Sequence, residues 1–138
     1  MAKTIATIMG IAFLLVGITG FVAPAFLGAH LSTTHNLVHI VSGAVSLYFG
    51  LAGTLAGARL FDIVFGVVYG LLGVVGFLAG SSGAPSPGVP GPASGNHLAV
   101  LPGALEFGTM DHTIHIVIGL VYLIGGLLTR ADLTVDRT

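Results

Sequence analysis

His35-Asn36-Leu37-Val38-His39-Ile40-Val41-Ser42-Gly43 opens a long apolar run and sets two imidazoles one helical turn apart at its mouth. A near copy follows as Asp111-His112-Thr113-Ile114-His115-Ile116-Val117-Ile118-Gly119. Placing His39 on His115 also places Ile40 on Ile116, Val41 on Val117, Gly43 on Gly119 and Leu47 on Leu123. A second pair of segments, 10–23 and 66–79, matches without gaps. It aligns Gly10 with Gly66, Phe13 with Tyr69, Gly17 with Gly73, Gly20 with Gly76 and Phe21 with Phe77. Chance similarity between Gly-rich apolar segments does not explain a shared spacing of glycines and aromatics. The simplest explanation is a duplicated helical hairpin, in which helix 1 corresponds to helix 3 and helix 2 to helix 4. A unit that crosses a membrane twice keeps its orientation when copied, so the repeats are parallel, related by a pseudo-two-fold axis along the membrane normal.

A membrane setting follows from composition. Of 138 residues, 54% are hydrophobic and only 7% charged, with mean hydropathy +1.04. A soluble domain carries roughly 25% charged residues, and this chain cannot cover a water-facing surface. It is expected to be an all-α integral membrane protein with four transmembrane helices in a single domain. With ~20 residues per span, they fall at about 3–22, 36–57, 61–79 and 111–129, leaving an outward loop at 80–110. Lys3 ahead of an apolar run, with Ala23-Pro24-Ala25 behind it, also resembles a cleaved signal peptide. The length of the run and its later repetition favour a retained helix. Arg59 and Arg130 are expected to close helices 2 and 4. Counting back from them pulls His39 and His115 about one turn into the apolar layer. The stretch from Ser81 to Pro92 is too rich in Pro, Gly and Ser for helix or sheet and is expected to be extended. The more apolar 97–107 is expected to lie along the interface or to cap the bundle.

Lys3, Arg59, Arg130 and Arg137 all fall on one side of this topology. The positive-inside rule makes that side, with both termini, cytoplasmic. His30, His35, His39, His97, His112 and His115 then gather at the outward face with Glu106 and Asp111. No basic patch is available for nucleic acid. The absence of cysteine excludes disulfides, thiolate ligands and a thiol nucleophile. With no Ser/His/Asp constellation and no phosphate-binding loop, enzyme activity is not expected.

Three motifs, Asn36-x-x-His39, Gly66-Val-Val-Tyr69 and Asp111-x-x-x-His115, resemble an uncharacterised bacterial four-helix membrane family, domain of unknown function 4383. The resemblance covers essentially the whole chain. It implies the four-helix topology and a place in the inner (plasma) membrane of a bacterium, and brings no activity.

His35 and His39 are spaced i, i+4, as are Asp111 and His115, while His112 and His115 are i, i+3. His35, His39, Asp111, His112 and His115 are therefore candidate ligands for Zn or Cu. His39 and His115 each have a glycine one turn further on, Gly43 and Gly119. That room makes the pair candidate axial ligands of a haem or (bacterio)chlorophyll cofactor. The competing role is structural. Asn36 and Asp111 suit helix starts, and a histidine beside them can tie a loop to the helix end through a ring N–H. His30 and His97 are expected to be solvated loop residues. The preferred reading is a small accessory or interaction subunit of a membrane complex, with no catalysis of its own. Its partners are the lipid bilayer and other membrane subunits, or itself. The alternative is a metal-, haem- or chlorophyll-binding membrane protein. The two differ in geometry: tethers should have a hydrogen-bond partner for each ring nitrogen, and ligands should converge.

Overall fold

The computed structural model describes residues 1–130; Arg137, one of the four cations behind the expected orientation, lies outside the described residues. The chain is mostly helical, with α1 (Ala2–Thr19), α2 (Thr33–Leu47), α3 (Leu55–Ala79) and α4 (Thr109–Leu128). Helices α1, α3 and α4 are each long and apolar enough to cross a membrane. Helix α2 is shorter and runs on into a π-helical turn at Tyr48–Ala52, closed by the Gly53 N–H donating to the Tyr48 carbonyl at 2.9 Å. Ser32 starts α2, its Oγ accepting from the His35 N–H at 3.2 Å.

Two expectations about the elements need correction. Helix α3 starts at Leu55, well before residue 61, because Thr54 caps it through the Gly57 N–H at 3.0 Å. Arg59 therefore lies inside α3 rather than in a loop. Its long side chain still reaches the helix ends, with Nε–H donating to the Gly126 carbonyl at 3.2 Å. The consequence is that Asp62 sits about two turns into a helix.

The second correction concerns the fold class, since the outward loop is not structureless. A small antiparallel sheet, β1 (Ser81–Gly83), β2 (Ser94–Leu101) and β3 (Leu105–Phe107), has strand order β1-β2-β3. Ser81 pairs with His97 and Gly83 with Ser94; Leu98 pairs with Phe107 and Ala99 with Glu106. Ser and Gly have low strand propensity, so β1 is invisible locally. It forms because β2, more than ten residues on, supplies partners for its backbone groups.

Glycine contacts set the helix packing. A Cβ on Gly10 in α1 would stand 3.0 Å from the Gly43 carbonyl oxygen and 2.9 Å from the Leu47 nitrogen. A Cβ on Gly66 in α3 would stand 2.9 Å from the Gly119 carbonyl oxygen and 2.8 Å from the Leu123 nitrogen. Gly17 likewise faces the Asn36 carbonyl and Gly73 the His112 carbonyl. Such contacts are possible only between small residues, and they bring α1 onto α2 and α3 onto α4.

Between the two helix pairs lies a core of Ala6, Phe13, Phe61, Tyr69 and Tyr122. Polar groups line the same interior. The buried face of α2 carries His35, His39, Ser42 and Ser46. Ser46 donates to the Ala6 carbonyl at 2.7 Å, which spends its only proton, so the Tyr122 hydroxyl donates to Ser46 at 2.7 Å. Tyr69 donates to Ser42 at 3.2 Å. The outer faces are apolar instead, with Leu15, Ile18, Val41, Leu71, Leu78, Leu120 and Leu127 exposed.

Candidate metal centre

Helix α2 sets His35 and His39 on its inward face one turn apart, and α4 brings His115 up to them. One nitrogen from each of the three imidazoles lies within 4.8 Å of the other two. The His35 ring is centred 4.3 Å from His39 and 5.9 Å from His115. All three are buried. Phe107 of β3 covers the cluster, its ring 5.0 Å from His35 and 4.9 Å from His115. Phe13 and Tyr69 close it on the core side, 5.4 Å from His39 and 5.5 Å from His115 respectively.

Hydrogen bonding separates His35 from the other two. His35 Nδ1–H donates to the His30 carbonyl at 2.8 Å, which leaves the Nε2 lone pair free. The Nδ1 atoms of His39 and His115 are buried with no partner among the described residues. Neither Asn36, nor Asp111, nor a carbonyl takes them, so neither ring ties a loop through that nitrogen. Leaving a buried polar atom unpaired costs ~1–3 kcal/mol. Two such atoms beside a third imidazole mark a place where the chain withholds lone pairs or protons from its own fold.

Metal–nitrogen bonds of ~2.0–2.1 Å place tetrahedral ligand atoms about 3.3 Å apart. Closing the cluster around an ion therefore needs the separations between ligand atoms to shorten by at most about 1.5 Å, a change that side-chain rotation supplies. Space exists for it. A cavity of about 120 Å³ adjoins the three histidines, lined also by Val16, Leu31 and Ile114. A second cavity of about 200 Å³, between α1 and α4, shares Val16, His39 and Ile114 with it.

Of the five sequence candidates, Asp111 and His112 do not join the cluster. Asp111 accepts from the His30 N–H at 3.1 and 3.2 Å, from His30 Nδ1–H at 2.7 Å and from the Gly108 N–H at 2.8 Å. His112 Nε2–H donates to the Asn96 carbonyl at 2.7 Å, and its ring lies against Gly76. These two residues join the cap to the start of α4, His112 through one ring nitrogen only, its Nδ1 being unpartnered among the described residues.

The macrocycle alternative does not fit. The space beside Gly43 holds the Gly10 carbonyl and Leu14, and the space beside Gly119 holds the backbone of Gly66 and Gly70. Helix packing uses the glycines completely. The cavity of about 120 Å³ is also well under the ~300 Å³ lower end of cofactor pockets.

His30 and His97 are not solvated. His30 is fully buried, its Nδ1 facing Asp111 and its Nε2 facing the Pro92 carbonyl at 3.0 Å. Only the doubly protonated ring donates to both. Burial opposes that charge, but Asp111, with help from Pro92, outweighs it and holds the pKa above the ordinary 6.5. His97 Nε2–H donates to Glu106 at 2.8 Å. Burial likewise pushes the Glu106 carboxyl up. The Gly103 N–H at 2.7 Å, the Ser86 N–H at 2.9 Å and His97 overcome this and bring its pKa down to about 2. The acceptors for His30 lie tens of residues away in the sequence, so no local spacing announces them. Asp62 is the other unforeseen group. It is fully buried against Ile5 and Gly125, with both carboxylate oxygens unpartnered among the described residues.

The chain matches no protein-family model, no curated protein and no solved structure. What the site can do is read from its geometry.

Proposed function

We propose that this chain is a four-span protein of a bacterial plasma membrane that holds one transition-metal ion, copper or zinc, at His35, His39 and His115. The observation that carries this reading is the convergence of three buried imidazoles, two of them with an Nδ1 atom that has no partner among the described residues. The membrane setting is supported by inverted polarity: the largest fully buried side chains include His30, His112, Glu106, Asn36, Asp62 and Asp111, while leucines and valines cover the outside. Helix α2 with its π turn serves as the fourth span. Lys3, Arg59 and Arg130 lie at the helix ends opposite the histidines, which supports cytoplasmic termini and an outward-facing metal site. Duplication of a hairpin is supported by the matched glycine contacts. Equivalent residues also face each other: Phe13 and Tyr69 at 5.2 Å between ring centres, Ser46 and Tyr122 by a hydrogen bond, and His39 and His115 at the metal site.

Elemental analysis of the protein purified in mild detergent tests the reading. About one copper or zinc per chain is expected, lost equally in His39→Gln and His39→Leu. A metal-free protein in which the Gln variant keeps wild-type stability while the Leu variant loses it would return His39 to a structural role. An accessory subunit of a larger complex remains a compatible second reading, favoured by the exposed Val100 and Leu101 on the cap. Co-purification of stoichiometric membrane subunits would support it, and a monodisperse single chain after gentle extraction would count against it.

A further inference from the structure

We propose that the ion taken by this site is monovalent copper, Cu(I), rather than a divalent ion; the inference rests on the three-histidine reading above. Every group that converges is a neutral imidazole. The one carboxylate lining the cavity, Asp111, is already committed to His30 and Gly108 through four hydrogen bonds, and His30 offsets its charge. An ion entering the cluster therefore brings its full charge into an enclosure walled by Phe107, Phe13, Val16, Leu31 and Ile114. The cost of desolvating an ion rises with the square of its charge, so a divalent ion is penalised about fourfold more than a monovalent one.

The surroundings of the ligands point the same way. A histidine bound to zinc almost always donates its second ring N–H to a carboxylate, carbonyl or water, which strengthens it as a donor to a divalent ion. Here only His35 has such an acceptor, the His30 carbonyl. His39 and His115 make no hydrogen bond through either ring nitrogen among the described residues, so whichever nitrogen ligates, the other is unpolarised. Ligands left unpolarised in this way suit a low-charge, polarisable ion. Their number suits it too, because three donors complete a trigonal Cu(I) site, whereas zinc would have to carry a water or another fourth ligand into this apolar enclosure.

The test needs no variant, which protects it from misfolding artefacts. Wild-type protein in lipid nanodiscs is titrated anaerobically with Cu(I) against a chromophoric Cu(I) chelator, and separately with Zn²⁺ against a zinc indicator. One Cu(I) per chain is expected, bound at least about a hundredfold more tightly than Zn²⁺, with X-ray absorption showing three nitrogen neighbours. Zinc bound as tightly as Cu(I), or a carboxylate oxygen in the copper shell, would overturn the copper assignment and leave the histidine site standing. Binding of neither metal would overturn both.

Discussion

His30 shows how one side chain joins the cap to the helices and makes that joint sensitive to pH. Its folded-state pKa is raised above 6.5, so the stability its charge contributes is fully present below pH 6.5 and is lost as pH rises through the raised value. Thermal denaturation from pH 5.5 to 8.5 should show a decline over that window, and His30→Gln should flatten it; an unchanged slope would remove His30 as its source. Glu106 acts at the other extreme. With its pKa lowered from 4.5 to about 2, its contribution is complete above pH 4.5 and disappears only as pH falls through about 2. Protection from amide exchange at Ser86 and Gly103, whose N–H groups it holds, taken relative to the intrinsic rate at each pH, should therefore stay high at pH 5 and fall sharply near pH 2. Asp62 makes the opposite kind of contribution. A buried carboxylate with no partner among the described residues is a liability, so Asp62→Leu should stabilise the protein by ~1–3 kcal/mol. A loss of stability instead would show that Asp62 has a partner in the native membrane.

Among the elements, the glycines of α3 separate packing from propensity. A Cβ on Gly73 would stand 2.5 Å from the His112 carbonyl oxygen, whereas one on Gly70 meets nothing within 4 Å. Gly73→Ala should cost ~1–3 kcal/mol by overpacking, while Gly70→Ala should gain up to ~1 kcal/mol of helix propensity. Equal effects would mean that α3 does not approach α4 as closely as described. The helices themselves were legible because each residue-level signal was local: apolar runs and the repeated glycines; the start of α2 was not, since Ser32 caps it four residues ahead of Asn36. Arg59 misled because a cation was read as a helix end, although an arginine can reach that end from a turn inside. The cap was illegible for a different reason. Strand β1 has no propensity of its own, and its partner β2 begins only after the Pro- and Gly-rich segment 84–93.

For the whole molecule, orientation and site location are linked by topology. A reporter active only outside the cytoplasm should work when fused after Ser86 and be silent after Arg130; the reverse would turn the histidines inward. The candidate site was half legible. Helical spacing placed His35 with His39, and the repeat placed His115 opposite them. The same spacing admitted Asp111 and His112, which long-range partners, His30 and Asn96, draw away. Glycine gaps that suggest a macrocycle in one helix are filled by its neighbour, and only three dimensions show that. Counting ligands tests the three-histidine centre most directly. X-ray absorption on the metal-loaded protein should give three nitrogen neighbours, with the bound metal lost in each of His35→Ala, His39→Ala and His115→Ala and the three-nitrogen shell kept in His112→Gln. A shell that loses a ligand in His112→Gln, or that is untouched by loss of His39 or His115, would contradict the site.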